Sequence, residues 1–253
     1  MAKISACIIS FNEEKKIEDC LKSLADIVDE IVVVDSNSTD NTVEIARKYT
    51  DRIILQDFLG FIEQKNFAVQ QAQNDWILSL DCDERLSPEL QDAISGIKGT
   101  IEQADAYKMP RKTFYIYRWL NHCWYPDIKI RLFNKNNAHW GGTNPHDHIV
   151  ISSSNIVQLP GDLYHYSFDS ISDHIKTIDK FTEIGADELV RKNRSFSFLS
   201  PFTHSSWIFL KLYIFKRGFM DGFAGIIVSV LSAMHVFIKY SKAIIKRKQS
   251  NAR

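Results

Sequence analysis

Four times before residue 100 a short apolar run gives way at once to residues with helical spacing. ISACIIS (4–10), EIVVVD (30–35), RIILQ (52–56) and WILSL (76–80) are almost continuously apolar, as strands covered on both faces must be. After the first run, Ile17, Cys20, Leu21 and Leu24 fall on one helical face, with Asn12 as the expected cap. NSTDNTVEIARKY supplies caps and a second helix, and FIEQKNFAVQQAQ a third. Ser87 with Pro88 behind it opens SPELQDAISGI as an N-cap and first helical residue. Strand and helix alternating with short links predict an α/β fold, with a mostly parallel central sheet wrapped by right-handed crossovers.

Beyond residue 104 the rhythm changes. AYKMPRKTFYIY, DIKIRLFNK and IVISSSNIVQL read as antiparallel or mixed strands, with NAHWGGTNPHDH as a polar loop and 173–193 as a helix. The expected organisation is a catalytic body over 1–200, in halves 1–104 and 105–200, followed by a helical tail over 201–253. At 45% hydrophobic and 25% charged, the chain is globular in composition. The four cysteines show no CxxC spacing and read as reduced core thiols. MAKISACIISF lacks the charged and long apolar regions of a signal peptide, so a cytoplasmic location is expected.

In open parallel sheets ligands bind beyond the carboxyl ends of the strands. The residues there are Asn12 and Glu13, then Asp35 to Asp40, then Asp81, Asp83 and Glu84. Like charges converging on one cleft need a cation or hydrogen-bond donors. A divalent metal held by few protein oxygens and completed by substrate phosphates meets that need. D-x-D alone is a weak signal; after a buried strand, and matched by Asp35, it gains weight. The absence of G-x-G-x-x-G after the first strand disfavours a dinucleotide enzyme.

IISFNEE, VVVDSNSTDNT, the Gln64-Lys65-Asn66 segment and LSLDCDE, in this order and spacing, resemble family 2 glycosyltransferases. Within that family, FNEE, HWGG...PHD, YHYS and the basic aromatic C-terminus look most like the bacterial lipopolysaccharide-core β-glucosyltransferase branch. The resemblance implies a Rossmann-like GT-A fold, a nucleotide-sugar donor such as UDP-glucose, inversion at the anomeric carbon, and Mn2+ or Mg2+. It places Ser10, Asn12 and Glu13 along the nucleoside pocket. Asp35 is placed on the base or ribose, Lys65 on the base and Asp81 on the ribose. Asp83 would bind the metal, with His165 on metal or phosphate. Asp147 takes the position of the catalytic base, where the branch commonly has Glu, and His146 is its rival. Lys129 and Arg131 are candidates to steady the leaving diphosphate.

Each assignment has a plainer competitor. Asp35 could simply cap the next helix, Lys65 could be a solvated surface lysine, and His165 a core histidine. Trp119, Trp124 and Trp140 could stack on a sugar or fill the core. His139, His146 and His148 lack the spacing of a zinc site.

The tail is set apart by charge: residues 201–253 carry nine Lys or Arg against one acid, Asp221. Seventeen residues between Asp221 and Lys239 carry no formal charge, at the short limit of a membrane span. The reading is an interfacial helix pair on the cytoplasmic face of the inner membrane, its cations on anionic head groups. A helix packed on the catalytic body or in a dimer is the alternative. Cations interspersed with large aliphatic residues argue against nucleic acid. The expected acceptor is a lipid-linked saccharide such as a lipopolysaccharide core. The alternatives are another surface-glycan pathway (capsule, O-antigen or protein glycan) and a non-catalytic scaffold.

Overall fold

The structure, a computed structural model, describes residues 1–143, 146–192 and 195–251, without the side chains of His146 and Asn251. The chain divides into two compact units, Met1–Arg111 with Asp127–His165, and Lys112–Pro126 with Tyr166–Arg253.

The first unit opens with the expected alternation. β1 (Ile4–Ser10), α1 (Ile17–Lys22), β2 (Glu30–Asp35), α2 (Thr42–Ala46), β3 (Ile53–Leu55), α3 (Phe61–Gln71) and β4 (Trp76–Asp81) follow one another. β3, β2, β1 and β4 lie side by side in that order, all parallel. The apolar runs of β1, β2 and β4 are buried because helices cover both faces: Ile4, Ala6 and Ile8 lie in one core cluster, Cys7, Val32 and Val34 in another. β3, expected to be covered in the same way, is the edge strand of the sheet: Ile53 and Ile54 are half-buried and Leu55 is exposed. α4 (Pro88–Ile97) begins as expected, with Ser87 Oγ accepting from the Leu90 amide at 3.2 Å.

Further strands are β5 (Glu84–Leu86), β6 (Ala106–Tyr115), β7 (Arg118–Trp119), β8 (Asp127–Asn134), β9 (Ala138–Thr143), β10 (His146–Ile151), β11 (Ile156–Gln158) and β12 (Leu163–Phe168). The sheet continues from β4 into antiparallel β8 and β6. Two expectations change here. IVISSSNIVQL is two strands, β10 and β11, and NAHWGGTNPHDH contributes β9 and the start of β10 as an antiparallel pair. Trp140 and Ile149 explain that pairing, since they sit opposite each other and are both buried.

The second unit holds three long helical segments: α5 (Ile171–Arg191), α6 (Ser200–Leu210) and α7 (Gly222–Asn251). Ala224 and Val228 of α7 pack with Tyr115, Leu120 and Cys123. Asp221, at the start of α7, is fully buried. Its carboxylate accepts from the amides of Asn121, His122 and Cys123 at 2.9–3.1 Å. Lys242 and Lys246, expected to meet lipid, turn instead to α5: Lys242 Nζ lies 2.8 Å from Asp179, and Lys246 Nζ reaches Glu183 at 2.5 Å and also Asp187. The sequence could not reveal that pairing, because the acids lie about sixty residues upstream. The segment Gly218–Ser250 is long and apolar enough to cross a membrane, by length and composition alone.

Candidate active site

Parallel pairing fixes which side chains share an edge. Ser10 is level with Asp35 across β1 and β2, and Ile9 with Asp81 across β1 and β4. The acids ending β2 and β4 therefore emerge at one edge of the sheet, flanking the end of β1.

At the β1–β2 end the polar side chains hold one another. Asp35 is fully buried and accepts from Ser10 Oγ at 2.7 Å, from the Ser38 amide at 2.7 Å and from Ser38 Oγ at 2.6 Å. Asn12 does not cap α1, which starts only at Ile17. It adopts a left-handed φ of 54°, and its Oδ1 accepts from the Thr39 amide at 2.8 Å. The amide of Glu13 donates to Thr42 Oγ1 at 2.8 Å. The two loops are thus laced together by the hydroxyls of SNSTDNT, giving a rigid rim at the strand ends.

The β4 end is built on ion pairs. Lys65, expected as a base contact or a surface lysine, is buried on α3. Its Nζ lies 2.8 Å from Asp81 Oδ1, 2.6 Å from Asp147 Oδ2 and 4.3 Å from the centre of the Trp140 ring. Asn66, the next residue, donates to the Trp140 carbonyl at 2.8 Å and accepts the Trp140 amide at 2.9 Å. That clamp sets β9 against α3. Because Asp147 pairs with Gly142 in the β9–β10 ladder, it also brings Asp147 to Lys65. Trp140 is buried, donates its indole N–H to Ser79 Oγ, and carries Arg131 5.3 Å over its ring. Of its two expected roles it takes the core one.

Arg131 is also buried and donates to Asp81 Oδ2 at 2.8 Å and to Glu84 Oε1 at 2.5 Å. Its Nε has no hydrogen-bond partner among the described residues. Lys129 pairs with Asp127 at 3.1 Å, and Arg111 with Glu84 and Asp127. Burial works against ionisation of Asp81, but Lys65 and then Arg131 outweigh it and hold its carboxyl well below the usual range. Burial disfavours the Arg131 cation, yet Glu84 and Asp81 keep it firmly protonated.

Asp83 stands apart from this network. Its Oδ2 lies 3.3 Å from His165 Nε2, a meeting produced by antiparallel pairing of β12 with β5, which sets His165 opposite Glu84. Burial pushes Asp83 up, and His165 more than reverses that, so Asp83 is held ionised below the ordinary carboxylate range. Among the described residues no three His, Cys, Asp or Glu side chains gather as a protein-only metal cage. One carboxylate beside one imidazole is a donor set that suits an ion completed by substrate oxygens and water.

Glu84 is the residue that sequence reasoning named among the strand-end acids but left without a role. It is fully buried, accepts from Arg131 and Arg111, and takes the Asp81 amide at 3.1 Å. The signal was the period of ERL, which puts Glu84 on the same face as Leu86. The side chain of His146, the rival base, lies outside the described residues.

Residues 5–149 match the model of glycosyl transferase family 2. The chain belongs to that family. It is 35% identical to an uncharacterized glycosyltransferase of Rickettsia typhi, over 96% of this chain and 87% of that one. It is 25% identical to the lipopolysaccharide core biosynthesis glycosyltransferase LpsC of Rhizobium meliloti, over 94% of this chain and 91% of LpsC. Among solved structures, Staphylococcus aureus TarS 1–349 is similar over 98% of this chain and 92% of that one, with 18% identity and a TM-score of 0.47. As a glycosyltransferase the protein is an enzyme, and the ion pairs at the end of β4 lie inside the family-matched segment.

Proposed function

We propose that this glycosyltransferase moves a hexose from a nucleotide-sugar, UDP-glucose in the first instance, to a lipid-linked saccharide such as a lipopolysaccharide core, inverting the anomeric carbon. The observation that carries the reading is the convergence of Asp81, Lys65 and Asp147 beside the separate Asp83–His165 pair. The acceptor assignment draws on the likeness to LpsC.

In this reading the rim built by Ser10, Asn12, Glu13 and Asp35 receives the nucleoside, and Asp81 the ribose. Asp147 takes the proton from the acceptor hydroxyl as its oxygen bonds to the anomeric carbon and the bond to the diphosphate oxygen breaks. The electron pair leaves with the nucleoside diphosphate, so no protein nucleophile is required. Lys65 fixes the Asp147 carboxylate, and Arg131, with one N–H unengaged, faces the same acids. Asp83 and His165 would hold a divalent ion, Mn2+ or Mg2+, which when bound supplies positive charge for the departing diphosphate. The C-terminal helices would rest on the cytoplasmic face of the membrane, where a lipid-anchored acceptor is presented.

The test is release of nucleoside diphosphate across a panel of nucleotide-sugars with Mn2+ or Mg2+, with a chelator as control. Chelator-sensitive turnover of UDP-glucose is the expected result. Release from no donor would overturn the reading.

A further inference from the structure

The turn between α6 and α7 is finished on one side only. α6 runs into a π-helical turn at Lys211–Phe215, Arg217 takes a left-handed φ of 55°, and a 3-10 turn at Gly218–Asp221 leads into α7. Inside the turn the backbone is locked. Gly225 is so close to the Gly218 carbonyl that an added Cβ would lie 1.8 Å from its oxygen, and Asp221 is held by three amides and by His122 Nδ1 at 2.9 Å. Outside, the same turn shows solvent Phe215 (68% exposed), Phe219 (51%), Met220 (52%) and Phe223 (71%), with Trp207 and Ile214 beside them.

Such a patch on an ordered turn marks a contact surface. Lys211 and Arg217 are exposed around it and Lys216 is half-buried, while the one acid of residues 201–253, Asp221, is withdrawn into the interior. Within residues 201–253 the patch is therefore accompanied by exposed cations and by no exposed acid. Aromatic side chains ringed by Lys and Arg are the chemistry of an anionic lipid interface, where rings enter the acyl boundary and cations stay at the head groups.

We propose that this turn, residues 207–223, is the element that enters an anionic membrane surface, and that α7 lies on the protein and does not cross the bilayer. The proposal deepens the membrane-surface reading above and rests on it. Two features of α7 decide against a crossing. Ala224 and Val228 are packed with Tyr115 and Leu120, so hydrocarbon cannot surround that end. Further along, Lys242 and Lys246 are bound to the acids of α5. Those pairs also engage Lys242 and Lys246 with protein carboxylates, whereas Lys211 and Arg217 stand exposed beside the aromatic turn.

The experiment is flotation of the full-length enzyme with vesicles of mixed phosphatidylglycerol and phosphatidylethanolamine, with phosphatidylcholine as the neutral control. Wild type should float with the anionic vesicles. A Phe215→Ser/Phe219→Ser/Phe223→Ser variant should lose affinity by about tenfold or more, with unchanged circular dichroism and thermal unfolding because all three rings face outward. A Lys242→Gln/Lys246→Gln variant should still float. If that variant loses binding and the serine variant keeps it, the proposal is overturned. Failure of wild type itself to float removes the underlying membrane reading. Dimerisation of wild type in lipid-free buffer, abolished by the serine variant, would assign the patch to a second copy and also overturn the proposal. A second measurement keeps the test independent of folding: an environment-sensitive thiol dye on Phe219→Cys should shift blue with anionic vesicles, and an unshifted dye would count against insertion. The four native cysteines are buried and leave that label unique.

Discussion

Lys65 Nζ sits 2.6 Å from Asp147 Oδ2 and 2.8 Å from Asp81 Oδ1, so one helical lysine joins the end of a parallel strand to a β-ribbon eighty residues away. With the ammonium gone, two carboxylates face each other across a partly dry gap. Breaking such a shared pair is costly because the remaining charges keep their desolvation without their attraction. Lys65→Met is expected to lower stability by about 2 kcal/mol, read from urea unfolding, and transferase activity by about 100-fold. Lys65→Met combined with Asp147→Asn should cost less than the two changes summed, since both act on one contact.

Asp83 should behave differently from Asp81. Its partner is a histidine and not a buried arginine or lysine, and little of the fold leans on it. Asp83→Asn is expected to unfold within about 0.5 kcal/mol of wild type while abolishing metal-stimulated donor turnover. Asp81→Asn leaves Lys65 and Arg131 undercompensated and should lower both stability and turnover. Parallel thermal melts and nucleotide-release assays separate the two. Chelation of the wild type should reproduce the Asp83 phenotype, with activity returning on addition of Mn2+ or Mg2+.

The difference between those two acids also shows what a sequence can and cannot convey. The apolar runs were enough for the parallel half of the sheet, because burial on both faces leaves a local mark at β1, β2 and β4, and the short edge strand β3 keeps the same rhythm. The placement of Asp35 and Asp81 at one edge followed from parallel pairing alone. Lys65 could not be placed so well. Its helix carries no feature that distinguishes a solvated lysine from one bridging two acids, and its second partner arrives only through the β9–β10 ribbon. β9 and the start of β10 read as a loop because the glycines and polar residues of NAHWGGTNPHDH mask the alternation of Ala138 and Trp140. The same non-local blindness affected Lys242 and Lys246, whose partners on α5 lie far away in sequence.

His174 gives the second unit a pH dependence of its own. It is 5% exposed, stacks on Phe168, and its Nδ1 lies 3.0 Å from the Tyr115 hydroxyl. Burial, assisted by His235, lowers its pKa from the ordinary 6.5 to about 4. In the unfolded chain the ring takes its proton near 6.5, whereas in the fold it does so only near 4. Protons therefore favour the unfolded chain across that window: the contribution is complete above pH 6.5, declines as pH falls, and is spent near pH 4. The loss amounts to about 3 kcal/mol. Urea unfolding followed between pH 7 and 4.5 should show it, and His174→Phe should flatten that part of the profile.

Two glycines in helices should respond in opposite senses to the same added methyl. Gly225 lies in α7 against the chain that precedes it, and a Cβ there would meet the Gly218 carbonyl oxygen at 1.8 Å and Asp221 Cβ at 3.0 Å. Neither neighbour is free to retreat, since Asp221 is tied to the amides of Asn121, His122 and Cys123. Gly225→Ala is expected to cost about 3 kcal/mol or more, enough to lower the melting temperature by several degrees. Gly96 is exposed inside α4 and has nothing within 4 Å of the added atom. There the methyl reduces the freedom of the unfolded chain without a clash, and Gly96→Ala should raise stability by about 0.5–1 kcal/mol. Melting temperatures of the two variants beside wild type decide both; a neutral Gly225→Ala would mean that the α6–α7 turn is looser than its close contacts require.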